Sequence, residues 1–200
     1  MTEKTDILMH TCCGPCLEWP AQQLLAEDQK LLVWFYNPNI QPLAEQQRRL
    51  ANLQVLAAKL NLPTLIESGC EPDVWQNWDS HTESRCRMCY RRRLSAAAEK
   101  ARELCIPAFS TTLLVSPWQD HQAIIEIGQA AGSAAGVKFI DRDFRDGYKE
   151  GQRLAREDGL YRQRYCGCLP SIEQSNYREQ IMKDLAALSE QPSRSDNDHK

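Results

Sequence analysis

Seven cysteines in three tight groups restrict this 200-residue chain more than any other feature. The groups are Cys12, Cys13 and Cys16; Cys86-Arg-Met-Cys89; and Cys166-Gly-Cys168. Each sits at a turn beside a predicted helix. A thiol that holds a metal must lose its proton, and helix amino termini and nearby cations favour that loss. Cys16 opens a predicted helix. Cys86 and Cys89 lie among Arg85, Arg87, Arg91, Arg92 and Arg93, and Cys166 and Cys168 follow Arg162 and Arg164. C-x-x-C spacing lets two thiolates reach one centre, while Gly14 and Gly167 permit tight turns. The pattern points to an iron–sulfur cluster whose ligands come from three separate segments.

The surroundings of the cysteines support metal or redox chemistry over disulfides. The amino terminus reads as lacking a signal peptide. The longest purely apolar run, Leu31 to Tyr36, is far short of the about 20 residues that a membrane span needs. The expected location is the cytoplasm, with no membrane partner. In a reducing cytosol, clustered cysteines are metal ligands or redox groups more often than disulfides. The total of nine is odd, so full pairing within the chain is impossible. Cys70 and Cys105 stand apart and are expected to be buried small hydrophobes. The net charge of −3 gives no global sign of nucleic-acid binding, so any RNA contact must come from a local patch.

Periodicity predicts alternating strands and helices. Strands are expected at Asp6–Thr11, Leu31–Tyr36, Thr64–Glu67, Ala108–Val115 and Val137–Asp141. Helices are expected from the Cys12–Cys16 turn to Asp28, then over Leu43–Leu60, Arg87–Leu104, Gln119–Ala131 and Pro170–Leu188. This is an α/β chain with a mostly parallel sheet covered on both faces. Ligands of such sheets bind at the carboxyl ends of strands, where the first cysteine group falls. Residues 1–188 read as a single domain, and residues 189–200 as a disordered tail without an apolar residue.

Blander readings compete. A structural zinc site takes four ligands, fewer than the seven clustered cysteines, and adjacent side chains at Cys12 and Cys13 are expected to diverge. Cys13-Gly-Pro-Cys16 also matches a thioredoxin-like dithiol, but the other cysteines make a pure thiol exchanger a poorer fit. An ATP-binding enzyme of the tRNA-thiolating or sulfonucleotide-reducing kind would carry a loop like S-G-G-x-D-S. Here that loop is Thr11-Cys-Cys-Gly-Pro-Cys16, without the phosphate cradle. A non-catalytic metal-binding module remains an alternative.

Six segments carry a resemblance: His10-Thr-Cys-Cys-Gly-Pro-Cys16, Tyr36-Asn-Pro-Asn-Ile40, Arg85-Cys-Arg-Met-Cys-Tyr90, Thr111-Thr-Leu-Leu-Val-Ser-Pro117, Asp141-Arg-Asp-Phe-Arg145 and Tyr161-Arg-Gln-Arg-Tyr-Cys-Gly-Cys168. In this order they resemble the cobalamin-independent epoxyqueuosine reductases (QueH). The resemblance implies a single-domain three-layer α/β sandwich with a Rossmann-like sheet related to nucleotide hydrolases. It implies removal of the epoxide oxygen of epoxyqueuosine at the tRNA wobble position, the last step of queuosine biosynthesis. It implies a [4Fe–4S] cluster with an adjacent second centre, either a redox pair or a mononuclear iron. Carried over by residue, the cluster ligands are Cys12, Cys13, Cys86 and Cys89. Cys166 and Cys168 are then a redox-active pair or ligands of the adjacent iron. Cys16 stands where some members have Asp, which leaves that iron's ligand set open, including a regrouping of the tandem cysteines.

Such a deoxygenation needs two electrons, from an external donor, and stabilisation of the departing oxygen. A dithiol supplies two electrons, and an iron acts as a Lewis acid. Asp141, Asp143, Tyr165 and His10 are proton-donor candidates by position, with Asp141 placed in the catalytic set and His10 expected to pack at its strand end. Arg91, Arg92, Arg93, Arg142, Arg145, Arg162 and Arg164 are candidates for phosphate contacts with the anticodon arm, and Tyr90, Tyr161 and Tyr165 for stacking. Solvated helix faces are the plainer reading of the arginines. Asn37 and Asn39 shape a nucleobase pocket or simply serve a turn.

Overall fold

The computed structural model describes residues 4–67, 69–78 and 83–189. Its sheet starts from a strand with no polar face. The four residues of β1 (Ile7–His10) are all buried, which requires cover on both sides. β2 (Leu31–Tyr36), β3 (Thr64–Glu67), β4 (Ala108–Thr111) and β5 (Lys138–Phe139) complete the sheet. The order is β3-β2-β1-β4-β5, and every pairing is parallel. Parallel neighbours need crossovers, and helices supply them. α1 (Gly14–Ala26), α2 (Leu43–Lys59) and α6 (Tyr148–Glu157) pack in one layer, and α4 (Arg85–Glu103) packs with α5 (His121–Ala135) in the other. Three short or late helices, α3 (Pro72–Gln76), α7 (Leu169–Glu173) and α8 (Arg178–Ser189), complete the described chain. The result is a Rossmann-like three-layer sandwich.

The predicted stripes account for the helical layers. Leu53, Leu56 and Ala57 of α2 are buried, as are Leu94, Ala97, Ala98 and Ala101 of α4. The alanines leave room for α5 to approach α4. Ser84 caps α4 by accepting from the Arg87 N–H at 3.3 Å, and Asp120 caps α5 by accepting from the Ala123 N–H at 3.0 Å. Gly136 ends α5 with φ +71°, a left-handed conformation that suits glycine.

Several expectations need correction. The strand expected to reach Val115 stops at Thr111, because the Thr111 hydroxyl accepts from the Leu113 N–H and turns the chain into a 3₁₀ turn, Thr112–Val115. The expected Val137–Asp141 strand keeps only two paired residues. The last helix is broken between α7 and α8, where the Ser175 hydroxyl accepts from the Tyr177 N–H. Neither α3 nor α6 was expected. α6 is well segregated into two faces but carries few large apolar residues: it buries only Gly151 and Ala155 among its residues, packing against α1. Cys105 is exposed, in a left-handed conformation after α4, and Cys70 is half-buried; neither is the buried hydrophobe expected. The tail expected to be disordered lies, from residue 190 on, outside the described residues. No helix among the described residues is long and apolar enough to cross a membrane.

The α1–α6 contact also buries a carboxyl group. Glu18 is fully buried; its Oε1 has no hydrogen-bond partner, and its Oε2 accepts from Gln22 at 3.5 Å. Burial, then the neighbouring Asp158 carboxylate, pushes Glu18 up to about 7. An unfolded glutamate titrates near 4.5. Between these values the folded chain keeps a proton that the unfolded chain has released. Glu18 therefore stabilises the fold fully below its unfolded pKa, and this contribution is lost as pH rises through about 7. Glu18→Gln should flatten that decline, so urea midpoints of variant and wild type should diverge in the variant's favour from pH 4.5 to pH 8. Parallel pH profiles would show that Glu18 is not the group responsible.

Candidate active site and metal centre

β1 lies between β2 and β4, where the order of the sheet reverses, and the chain leaves the carboxyl end of β1 straight into the first cysteine group. Cys13 is extended, with φ −173° and ψ 166°, and Gly14 then starts α1. A Cβ on Gly14 would lie 2.8 Å from the Asn52 carbonyl oxygen, so only glycine allows this approach to α2. The bend turns the tandem side chains together, contrary to the expected divergence. The sulfurs of Cys12, Cys13 and Cys16 all lie within 4.8 Å of one another, with Cys12 and Cys13 at 3.7 Å. This triad can bind a metal.

Donors already surround these thiols. Gln163 Nε2 donates to Cys13 Sγ at 2.9 Å and to Cys16 Sγ at 3.5 Å. The Thr112 hydroxyl accepts from the Cys12 N–H at 3.2 Å and donates to Cys12 Sγ at 3.5 Å. The thiols of Cys13 and Cys16, with Arg93 and Thr112, hold Cys12 well below the ordinary thiol range despite its burial. Burial and the neighbouring sulfurs push Cys13 and Cys16 up.

The second and third groups meet each other. Cys86 and Cys89 lie one turn apart on α4, Cys86 exposed and Cys89 buried. Cys89 packs with Cys168 and Trp75. Cys166 is exposed, and Gln119 Nε2 lies 3.7 Å from its sulfur. All nine cysteines are free thiols. A buried ion pair fastens the third segment: Arg49 Nε donates to Glu45 Oε1 at 2.8 Å, while its Nη atoms donate to the carbonyls of Cys166 at 3.0 Å and Tyr165 at 3.1 Å. The Gln41 N–H donates to the Gly167 carbonyl at 2.9 Å, and the Tyr165 hydroxyl to the Gln41 carbonyl at 2.7 Å. Gly167, at φ +132°, passes so close to Ile40 that a Cβ would lie 2.9 Å from Cγ1.

Together the three groups line a cleft of about 1210 Å³ that includes Cys12, Cys16, Cys86, Cys89, Cys166 and Cys168. Arg85, Arg162, Arg164, Tyr177 and Trp118 also line it, and Trp118 is 82% exposed. The other predicted residues divide. Asp141 is exposed, accepts from Gln129 Nε2 at 2.9 Å and does not line the cleft; neither does Asp143, which pairs with Arg145 at 2.6 Å. Position after a strand suggested both, but β5 is an edge strand away from the switch point. His10 is buried between the Thr111 hydroxyl at 2.8 Å and the Tyr36 carbonyl at 3.1 Å; burial, then Arg93, lowers it to about 3, so it stays neutral as packing. Tyr165 lines the cleft, with its hydroxyl committed to Gln41.

The arginine patch at 91–93 does not form as expected. Arg91 pairs with Glu83, Arg92 with Glu71, and Arg93 is 1% exposed. Arg142 pairs with Glu27 at 2.5 Å. Tyr90 is buried, donating to Gln119 Oε1 at 2.8 Å, and Tyr161 lies under Arg48 at 3.4 Å. Asn37 holds Arg93, and Asn39 is buried in the cleft lining with neither amide atom bonded. Sequence reasoning missed Gln163, Gln119, Thr112 and the Glu45–Arg49 pair. Gln163, within the third cysteine segment, and Thr112, within the Thr111–Pro117 segment, were hinted at by position alone.

Fold and site define a class: a Rossmann-like α/β protein with a thiol-lined cleft at the switch point of its sheet. Residues 7–174 match the family model described as Epoxyqueuosine reductase QueH. The chain is 31% identical over 166 residues to a protein of that name from Dehalococcoides mccartyi, covering 82% of this chain and 91% of the relative. It is 34% identical over 177 residues to the one from Thermotoga maritima (83% and 90% covered) and 33% identical over 187 residues to the one from Haemophilus influenzae (87% and 75% covered). The chain belongs to the epoxyqueuosine reductase QueH family.

The anchor of the third cysteine segment is open to a direct test. Glu45→Gln leaves the Arg49 guanidinium buried without its counter-ion, so it should cost about 3–5 kcal/mol of stability and loosen residues 161–168 to proteolysis. A loss under about 1 kcal/mol in urea unfolding would show that the two backbone carbonyls alone hold Arg49.

Proposed function

We propose that this chain reduces epoxyqueuosine to queuosine at the tRNA wobble position, using an iron–sulfur centre in the cysteine cleft. The carrying observation is the convergence of three cysteine groups, from the beginning, middle and end of the chain, on one cleft. The names of the relatives support the substrate. The residues suit an anionic metal centre: converging thiols, side-chain donors aimed at sulfur, and a buried cation close by. Cys12, Cys13, Cys86 and Cys89 are the proposed cluster ligands. Cys16, Cys166 and Cys168 serve the second centre, as a dithiol that delivers two electrons or as ligands of an iron.

The net reaction consumes two electrons and two protons, breaks both epoxide C–O bonds and releases the oxygen as water. A [4Fe–4S] cluster with a neighbouring iron would supply single electrons and a Lewis acid for that oxygen. The chain's own residues do the rest. Arg49 and Gly167 hold the Cys166–Cys168 turn against the cleft. Gln163, Thr112 and Gln119 orient the sulfurs. Arg85, Arg162 and Arg164 at the cleft suit the phosphates of an anticodon arm, with Trp118 and Tyr177 as stacking faces. Three thiols fill the space at the amino end of α1 where sheets of this class cradle phosphate, which argues against ATP. Electrons come from an external donor. Residues 1–188 act as one domain, in the cytoplasm where the tRNA is.

Two experiments test this reading. Anaerobically reconstituted protein should be brown and hold about four cluster irons, with room for one more. Cys86→Ser and Cys89→Ser should abolish the cluster absorption, whereas Cys166→Ser and Cys168→Ser should keep it and lose turnover of epoxyqueuosine-containing tRNA. A colourless zinc protein would point instead to a metal-binding module, and loss of the cluster in the last two variants would move the third segment into its ligand set. Replacing Arg162 and Arg164 together by Ala should weaken binding of the anticodon stem-loop and lower the salt slope by about two, with cluster absorption intact. Equal affinity and slope would place the RNA path elsewhere.

A further inference from the structure

Two arginines are buried beside the cleft, and they are built differently. Arg49 has a carboxylate partner, Glu45, as buried as itself. Arg93 is 1% exposed and pairs with no carboxylate among the described residues. Its Nη2 donates to Asn37 Oδ1 at 2.7 Å, its Nη1 lies 4.0 Å from Cys89 Sγ, and its Nε has no partner. A guanidinium cannot escape burial by losing its proton. An uncompensated buried charge costs several kcal/mol. The fold therefore has a missing negative charge next to Arg93.

The neighbours show where that charge belongs. The sulfur nearest the guanidinium is that of Cys89, which packs with Cys168, and Arg93 lines the same cleft as Cys12 and Cys166. Asn37 fixes the guanidinium without neutralising it. Its own Nδ2 donates to the Thr11 carbonyl at 2.8 Å, and Gln46 Nε2 donates to its carbonyl at 2.8 Å. A neutral amide thus points a full positive charge at the sulfurs.

We propose that Arg93, held by Asn37, is the fixed counter-cation of the metal centre, a positioning residue that offsets the anionic thiolate set and raises the centre's reduction potential. This rests on the iron–sulfur reading above. The sign follows from charge: reduction adds a negative charge, and a nearby cation favours the more negative state.

The test is spectroelectrochemical titration of anaerobically reconstituted full-length protein, with iron and sulfide counted for each sample. Arg93→Gln should lower the one-electron reduction equilibrium constant at least tenfold, about 59 mV in midpoint. Arg93→Lys should restore most of the loss. Asn37→Asp sets a carboxylate against the guanidinium without opening a cavity and should lower the midpoint in the same direction, which covers the case of an Arg93→Gln protein that does not fold. An Arg93→Gln protein that folds but holds no cluster, with Arg93→Lys holding one, supports the same role. Midpoints within threefold of wild type, in equilibrium-constant terms, for both Arg93→Gln and Asn37→Asp would overturn the counter-cation. A wild-type protein that forms no iron–sulfur centre would overturn the metal reading itself, a separate failure.

Discussion

The Glu45–Arg49 pair joins α2 to a segment more than a hundred residues downstream, and the cleft depends on it. That segment, 161–168, belongs to no strand or helix, so no sheet ladder holds it. Its position comes from side chains that reach backbone carbonyls, two bonds from Arg49 and one from Tyr165, and from the Gln41 backbone N–H donating to the Gly167 carbonyl. A buried ion pair is a poor source of net stability, because desolvation offsets much of the attraction. Its value here is directional. Glu45 aims the guanidinium fork, and the fork selects one path for a loop that carries two cysteines and Gln163.

Charge is distributed around this cleft with few free choices. Arg49 is compensated internally, Arg93 is not, and His10 is kept neutral between Thr111 and the Tyr36 carbonyl. The sulfurs are met by amide and hydroxyl donors. An environment of this kind favours anions whose charge is spread over several large atoms. It is unsuited to apolar ligands, and it differs from the glycine-rich backbone cradle that binds phosphate in related sheets.

The order of strands and helices was legible because it rests on local patterns. The all-apolar Leu31–Tyr36 run and the alanine stripe of α4 each have one sensible reading. The placement of the cysteines at strand and helix ends was equally visible. Other features needed three dimensions. Arg91, Arg92 and Arg93 look alike in sequence, yet on a helix they point to different surroundings, and only Arg93 turns inward. The convergence of Cys12 and Cys13 depends on one extended residue followed by a glycine pressed on Asn52. Helix α6 was hidden because its buried face is glycine and alanine, so its two-faced pattern contains almost no large apolar residue. Asp141 also follows a strand, but that strand lies at the edge of the sheet, away from the switch point where the cysteines gather.

The scattered origin of the cleft's cysteines has a consequence in time. A chain emerging from the ribosome folds from its amino end. Cys12, Cys13 and Cys16 are therefore made long before Gln163 and the Cys166–Cys168 turn exist. The nascent protein presents a thiol triad without the segment that later supplies its amide donor. Thiolate sites of this kind attract zinc and copper at least as readily as iron. On the proposed metal reading, loading belongs after synthesis has ended, and a ribosome that stalls between α6 and the third cysteine group would leave a polypeptide suited to capturing other thiophilic ions.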